Sequence, residues 1–119
     1  MSVLVKRLVS DELWKVFRQV VPPTVVRRPQ GGGRRRADDR EVLAAIIFVA
    51  SSGCTWRQLP PVFGPRWPTV YRRYVQWSRD RVWARLDRAL SEHLPERGEH
   101  DWPRCAVDSI TLLLEKRDG

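Results

Sequence analysis

Long apolar runs and closely spaced cysteines are what this 119-residue chain lacks, and its acidic residues are outnumbered by basic ones. No stretch of about 18 apolar residues occurs, so the sequence offers no bilayer-spanning helix. Residues Met1 to Leu8 carry Lys6 and Arg7 and lack an apolar signal core with a small-residue cleavage site. The expectation is a soluble, cytoplasmic protein with no membrane partner. Cysteine is confined to Cys54 and Cys105, without C-x-x-C spacing. That excludes a disulfide framework and a cysteine zinc site. His93 and His100 have no metal partners at ligand spacing and read as surface residues. No internal repeat is present.

What is abundant is positive charge. Against 14 acidic residues stand 22 Lys and Arg, a net charge of +8, and nearly all of the cations are Arg. Such a balance suits a polyanionic partner, nucleic acid first and an anionic membrane second. Arg in particular suits bidentate contact to phosphates or guanine edges. The hydrophobic fraction of 42% supports one modest core, with six Trp supplying much of its bulk.

The pattern predicts an all-α fold, a helix-turn-helix-like bundle of about five helices with a short strand-like C-terminal segment. Ser10 caps a first helix with Asp11 and Glu12 in its first turn, and Leu13, Trp14, Phe17, Val20 and Val21 recur at helical spacing before Pro22 and Pro23. Residues 24–37 read as a basic linker around Gly31, Gly32 and Gly33. Its Arg27, Arg28, Arg34, Arg35 and Arg36 form either a solvated tether or an arm that follows phosphates or a minor groove. Asp38 or Asp39 caps the second helix, whose apolar face (Val42, Leu43, Ile46, Ile47, Val49, Ala50) is wide enough for a central position. Gly53 sits where a left-handed C-cap belongs.

Thr55 and Gln58 form a second capping box that opens a helix of one to two turns, stopped by Pro60 and Pro61. A fourth helix starts near Trp67 and Pro68. There Val70, Tyr74 and Trp77 make an apolar stripe, with Arg72, Arg73, Gln76 and Arg79 on the other side. A fifth opens at Asp80, carries Val82, Trp83, Leu86, Ala89 and Leu90, and ends before Pro95. Cys105 to Ile110 is a short β-favouring run. The organisation is therefore an N-terminal helix (1–23), a linker (24–37), a helix-turn-helix-like module (38–95) and a C-terminal segment (104–119).

A supporting helix, a short helix and a longer helix with a basic outer face match the logic of helix-turn-helix DNA readers. The candidate contacts with double-stranded DNA are Arg34, Arg35, Arg36, Arg57, Thr69, Arg72, Arg73, Gln76 and Arg79. Most Trp fall on apolar stripes and read as core rather than as base-stacking platforms, with Trp67 the exception. Asp108 lies in the β-favouring run, where a nuclease strand would carry a metal-binding acid. One acid, however, cannot hold two divalent ions.

Several blocks in order carry a likeness to a known family. These are Ser10-Asp11-Glu12-Leu13-Trp14, Gly53-Cys54-Thr55-Trp56-Arg57-Gln58-Leu59-Pro60, Phe63-Gly64, Thr69-Val70-Tyr71-Arg72-Arg73-Tyr74, Trp77-Ser78 and Val82-Trp83. From about residue 9 to 110 the chain resembles the N-terminal domain of transposases of the fifth insertion-sequence family. The resemblance implies binding of an element's terminal inverted repeats, ahead of a ribonuclease-H-like domain whose D-D-E acids hold divalent metal.

The resemblance further implies that Asp108, in Ala106-Val107-Asp108-Ser109-Ile110, is the first of those acids and a metal ligand only in a completed catalytic domain. Mg²⁺ is then a cofactor of a full-length transposase and of none of the chemistry of this chain alone. The chain departs from the pattern in four places: it ends at Gly119 without the second Asp and the Glu, Thr111 to Gly119 loses the family's usual continuation, Pro68 replaces a polar residue, and the linker has a triple glycine. The expectation is a truncated, catalytically incomplete DNA-binding protein with no small-molecule substrate. Its origin is a first reading frame, a binding-only regulator or a pseudogene product, and its partners beyond DNA are a second reading-frame product or another copy of itself. The alternative is a free-standing helix-turn-helix transcription regulator.

Overall fold

A computed structural model describes residues 3–22, 37–93 and 102–118, with side chains through Glu115. Within them the chain forms six α-helices and two 3-10 turns, with no strand. The helices are α1 (Val3–Leu8), α2 (Asp11–Val20), α3 (Asp39–Ser52), α4 (Trp67–Arg79), α5 (Val82–His93) and α6 (Trp102–Asp118). The 3-10 turns, Trp56–Gln58 and Pro61–Phe63, lie between α3 and α4.

Local chemistry sets most boundaries. The Leu13 N–H donates to Ser10 Oγ at 3.2 Å and opens α2. Asp38 Oδ1 accepts from the N–H groups of Arg40 and Glu41 and opens α3. Each cap satisfies donors that the first helical turn leaves unpaired. Gly53 ends α3 at φ 76°, a left-handed conformation that glycine adopts without a Cβ penalty. The Thr55 N–H donates to Gln58 Oε1 at 2.9 Å, the expected reciprocal cap. The segment it opens is a 3-10 turn rather than an α-helical one, because Pro60 and Pro61 leave no room for an i to i−4 ladder.

α3 is the centre of the bundle. Val42, Leu43, Ala44, Ala45, Ile46, Ile47 and Val49 are buried nearly all round it, and α1, α4, α6 and the Pro61–Phe63 turn pack on it. α5 packs on α2, α4 and α6. The buried side chains form one cluster from Val5 to Ile110, knitted by aromatic contacts. Phe17 meets the edge of Trp77 at 5.0 Å between centroids, and Trp77 meets Trp83 at 5.9 Å. The Trp83 indole N–H donates to Ser78 Oγ, which in turn donates to the Tyr74 carbonyl.

Three features depart from the sequence expectation. First, α1 is an additional helix. Its VLVKRL sequence is β-branched at two positions, and six residues are too few to hold a helix alone. Burial of Val5 and Val9 and a 2.7 Å hydrogen bond from the Trp102 indole to the Leu8 carbonyl hold it in place.

Second, the C-terminal run is helix, not strand. Pro103 stands in the first turn of α6, where its missing N–H costs nothing. Ala106, Val107 and Ile110 then recur at i, i+1 and i+4 and bury against α3 and α5. Tertiary burial of that stripe outweighs the β preference of Val107, Ile110 and Thr111.

Third, Asp80 closes α4 rather than opening α5. Arg81 follows at φ 57°, and its left-handed backbone turns the chain from one helix into the next.

Arg40 ties the N-terminal helices to α3. Its guanidinium donates to the Val9 carbonyl (2.8 Å from Nη2) and to Asp11 Oδ1 (2.8 Å), and its hydrogen bond and charge hold the Asp11 carboxyl below the usual carboxylate range. Because that pKa is lowered in the folded state, the pair contributes stability at neutral pH. The contribution is present above the unfolded-state pKa and is lost as pH falls from there through the lowered value.

Asp11 is exposed, so Asp11→Asn should change the melting curve little. Arg40→Ala also strips the Val9 carbonyl of its donor and should cost about 1–3 kcal/mol. Parallel urea melts of the two variants check this ordering, which equal midpoints would contradict.

Candidate nucleic-acid interface

α4 divides sharply into a buried and an exposed face. Val70, Tyr74 and Trp77 are buried at 0–2% exposure, toward α3, the Trp56–Gln58 turn and α5. Arg72, Gln76 and Arg79 are exposed, and Thr69 is half-buried. At about 100° per residue, Arg72 and Arg79 lie about 170° from the centre of the buried stripe and Gln76 about 130°. The two arginines are separated by about 10 Å along the axis. Tyr71, Arg72, Val75, Gln76, Arg79 and Asp80 line an open concavity of about 490 Å³ along this face. Arg72 Nε donates to the Pro68 carbonyl at 3.3 Å, which lays its side chain back along the helix.

Arg73 does not share this face. It lies only about 70° from the buried stripe by the same helical geometry and is 9% exposed. Its Nη1 donates to Asp39 Oδ1 at 2.6 Å and to the Ala37 carbonyl at 3.3 Å, and its guanidinium lies 5.9 Å from the Trp77 ring centroid. The T-V-Y-R-R block therefore holds two arginines in different places. One is exposed, and the other is spent on fastening α4 to the start of α3. Adjacent residues differ by about 100° around a helix, which is enough to separate them.

Arg57 is exposed on the Trp56–Gln58 turn, with its guanidinium 5.7 Å from the Trp67 ring centroid. Sequence reasoning misses Arg66, which precedes α4 and is also exposed. It falls in a Pro/Gly loop whose placement periodicity cannot reveal. Arg34, Arg35 and Arg36 lie outside the described residues.

Asp108 sits on the exposed side of α6, not on a strand. Among the described residues no three His, Cys, Asp or Glu side chains come together as a metal site. A lone carboxylate on a helix surface does not fit the carboxylate cluster that a two-metal centre needs. Both cysteines are free thiols. Among the described residues no helix is long and apolar enough to cross a membrane.

Comparisons with known proteins match most of the chain. The family model described as "Putative transposase of IS4/5 family" matches residues 9–87, from the end of α1 into α5. The "Insertion element IS402 uncharacterized 16.2 kDa protein" of Burkholderia cepacia is 34% identical over 110 residues, covering 92% of this chain and 75% of that protein. No solved structure matches the chain. With α2 to α4 and half of α5 inside the matched span, the chain belongs to the IS4/5 transposase family.

Proposed function

We propose that this chain is a double-stranded DNA-binding protein of DNA transposition, recognising the terminal inverted repeats of an insertion element. The observation that carries the reading is the segregation on α4. A buried apolar stripe fixes the helix, while Arg72, Gln76 and Arg79, flanked by Thr69, project from the opposite side.

An α-helix fits the B-DNA major groove, about 12 Å wide, where Arg and Gln pair with guanine and adenine edges. α3 acts as the supporting helix and the two 3-10 turns as the connection, a variant of the helix-turn-helix arrangement. Arg57 and the Arg34–Arg36 cluster add phosphate contacts beside the groove. The net charge of +8 supplies the long-range attraction. Strand cleavage is not assigned to this chain alone, because among the described residues Asp108 belongs to no trio of His, Cys, Asp or Glu side chains that could hold a metal.

Fluorescence-anisotropy titration of the purified chain tests the reading. Labelled duplexes carrying the element ends are compared with shuffled duplexes from 50 to 200 mM salt. We expect binding that weakens steeply with salt and favours the element ends by more than about tenfold. Absence of binding to any duplex at low ionic strength would falsify it. Tightest binding to a promoter operator outside the element would point instead to a transcription regulator.

A further inference from the structure

A second concavity, of about 360 Å³, opens where the loop after the Pro61–Phe63 turn meets the start of α4. Its walls are largely apolar, with Leu59, Pro61, Pro65, Trp67 and Pro68 among the lining residues and Arg66 as the one charged residue lining it among those described. The local sequence builds it. Proline fixes the backbone on both sides of the loop. Gly64, at φ 98°, takes a turn that a side chain would oppose, since an added Cβ would meet the Glu41 carboxylate at 3.0 Å. Trp67 is only half-buried although its ring is large and apolar, and Arg57 lies over that ring.

We infer that this cleft is a binding site for one unpaired nucleotide of DNA, its base stacked against Trp67 and its phosphate met by Arg57 and Arg66. The inference rests on the DNA-binding reading and adds a ligand that reading does not require. The chemistry of the cleft favours this occupant over a paired base. Walls of proline, leucine and indole can take the flat face of a ring, and apart from Arg66 and the Trp67 indole N–H they offer no side-chain donor or acceptor to read its edge.

Paired bases present edges to a groove and keep their faces inside the stack. Only a base that has left the stack has a face to offer, as in single-strand binding on aromatic platforms. The two exposed guanidiniums supply the charge complement to a backbone phosphate. The volume lies at the small end of ligand clefts, roughly 300–1,000 Å³. The cleft adjoins the start of the helix proposed to read the duplex, so a nucleotide displaced beside the bound site can reach it.

The test compares three short duplexes of the same sequence. One is fully paired, one carries a single extra unpaired nucleotide, and one carries an abasic residue at that position. The wild-type chain should bind the second about tenfold more tightly than the first, in line with the stacking of one base, and should lose that preference on the abasic duplex. Trp67→Ala should bring the bulged duplex to within about twofold of the paired one, whatever it does to paired-duplex affinity. Trp67→Phe should keep most of the preference.

Fluorescent 2-aminopurine at the unpaired position should be quenched by the wild-type chain, which reports stacking without any variant. Equal binding of wild type to paired and bulged duplexes, or a preference that survives in Trp67→Ala, overturns the inference while the DNA-binding reading stands. Failure to bind any of the three overturns both.

Discussion

The double variant Arg72→Ala with Arg79→Ala is expected to bind element-end duplex about 10- to 100-fold more weakly than wild type, with a shallower salt dependence. Both side chains lie nearly opposite the buried stripe of α4 and are exposed, so their removal should leave the fold intact. A bidentate base contact contributes about 1–3 kcal/mol of discrimination. Removing an arginine that neutralises one phosphate should reduce the slope of log K against log salt by about 0.9. If both arginines meet phosphates, the slope therefore changes by nearly two. If both meet bases, the slope changes less and more of the sequence preference disappears.

Arg73→Met is the informative comparison, because it removes the same charge from the neighbouring position. Its guanidinium is held by Asp39 and Ala37, so this variant should melt earlier and keep the wild-type salt slope. Wild-type affinity and slope in the Arg72/Arg79 variant would remove α4 from the interface.

Trp77→Ala should be the most damaging single change to stability, costing about 3–5 kcal/mol. Trp77 is 2% exposed. It meets Phe17 of α2 edge-on at 5.0 Å and Trp83 of α5 at 5.9 Å, beneath the Arg73 guanidinium. One truncation therefore opens a cavity where three helices meet and removes the surface on which the Arg73–Asp39 pair rests. Domains of this size have about 5–15 kcal/mol in total, so about a fifth or more of the stability is at stake. Calorimetry should show the melting temperature lowered by more than about 10 °C. Trp14→Ala is the control. Its ring stacks on Phe17 at 5.9 Å but is half-buried, so it should cost clearly less. A shift for Trp77→Ala no larger than for Trp14→Ala would show that the aromatic cluster is not where the helices are joined.

Much of the local structure was legible from residue types. Ser10, Asp38, Gly53 and the Thr55/Gln58 pair each announce a boundary through a hydrogen bond or backbone angle made within a few residues. The apolar spacing of α2 to α5 named their inward faces. The site was half legible. Arg72, Gln76 and Arg79 are on the exposed side as their periodicity implies, whereas Arg73, indistinguishable from Arg72 by type, turns inward. Arg66 and the cleft beside Trp67 gave no periodic signal, since irregular backbone between prolines has no repeat to follow.

The sequence by itself determined the all-α class, the four central helices, the excess of positive charge and the family. These depend on composition and on contacts between residues close along the chain. Tertiary structure alone decided that Val3–Leu8 is helical, that the run around Asp108 is helix rather than strand, and that Arg73 braces α3 instead of facing outward. In each case the local preference is weak or split, and the outcome is set by partners distant in sequence. Leu8 accepts from Trp102, Ala106 and Ile110 bury against α3 and α5, and Asp39 captures Arg73. Burial and ion pairing with such partners outweigh the few tenths of a kcal/mol per residue by which propensities differ.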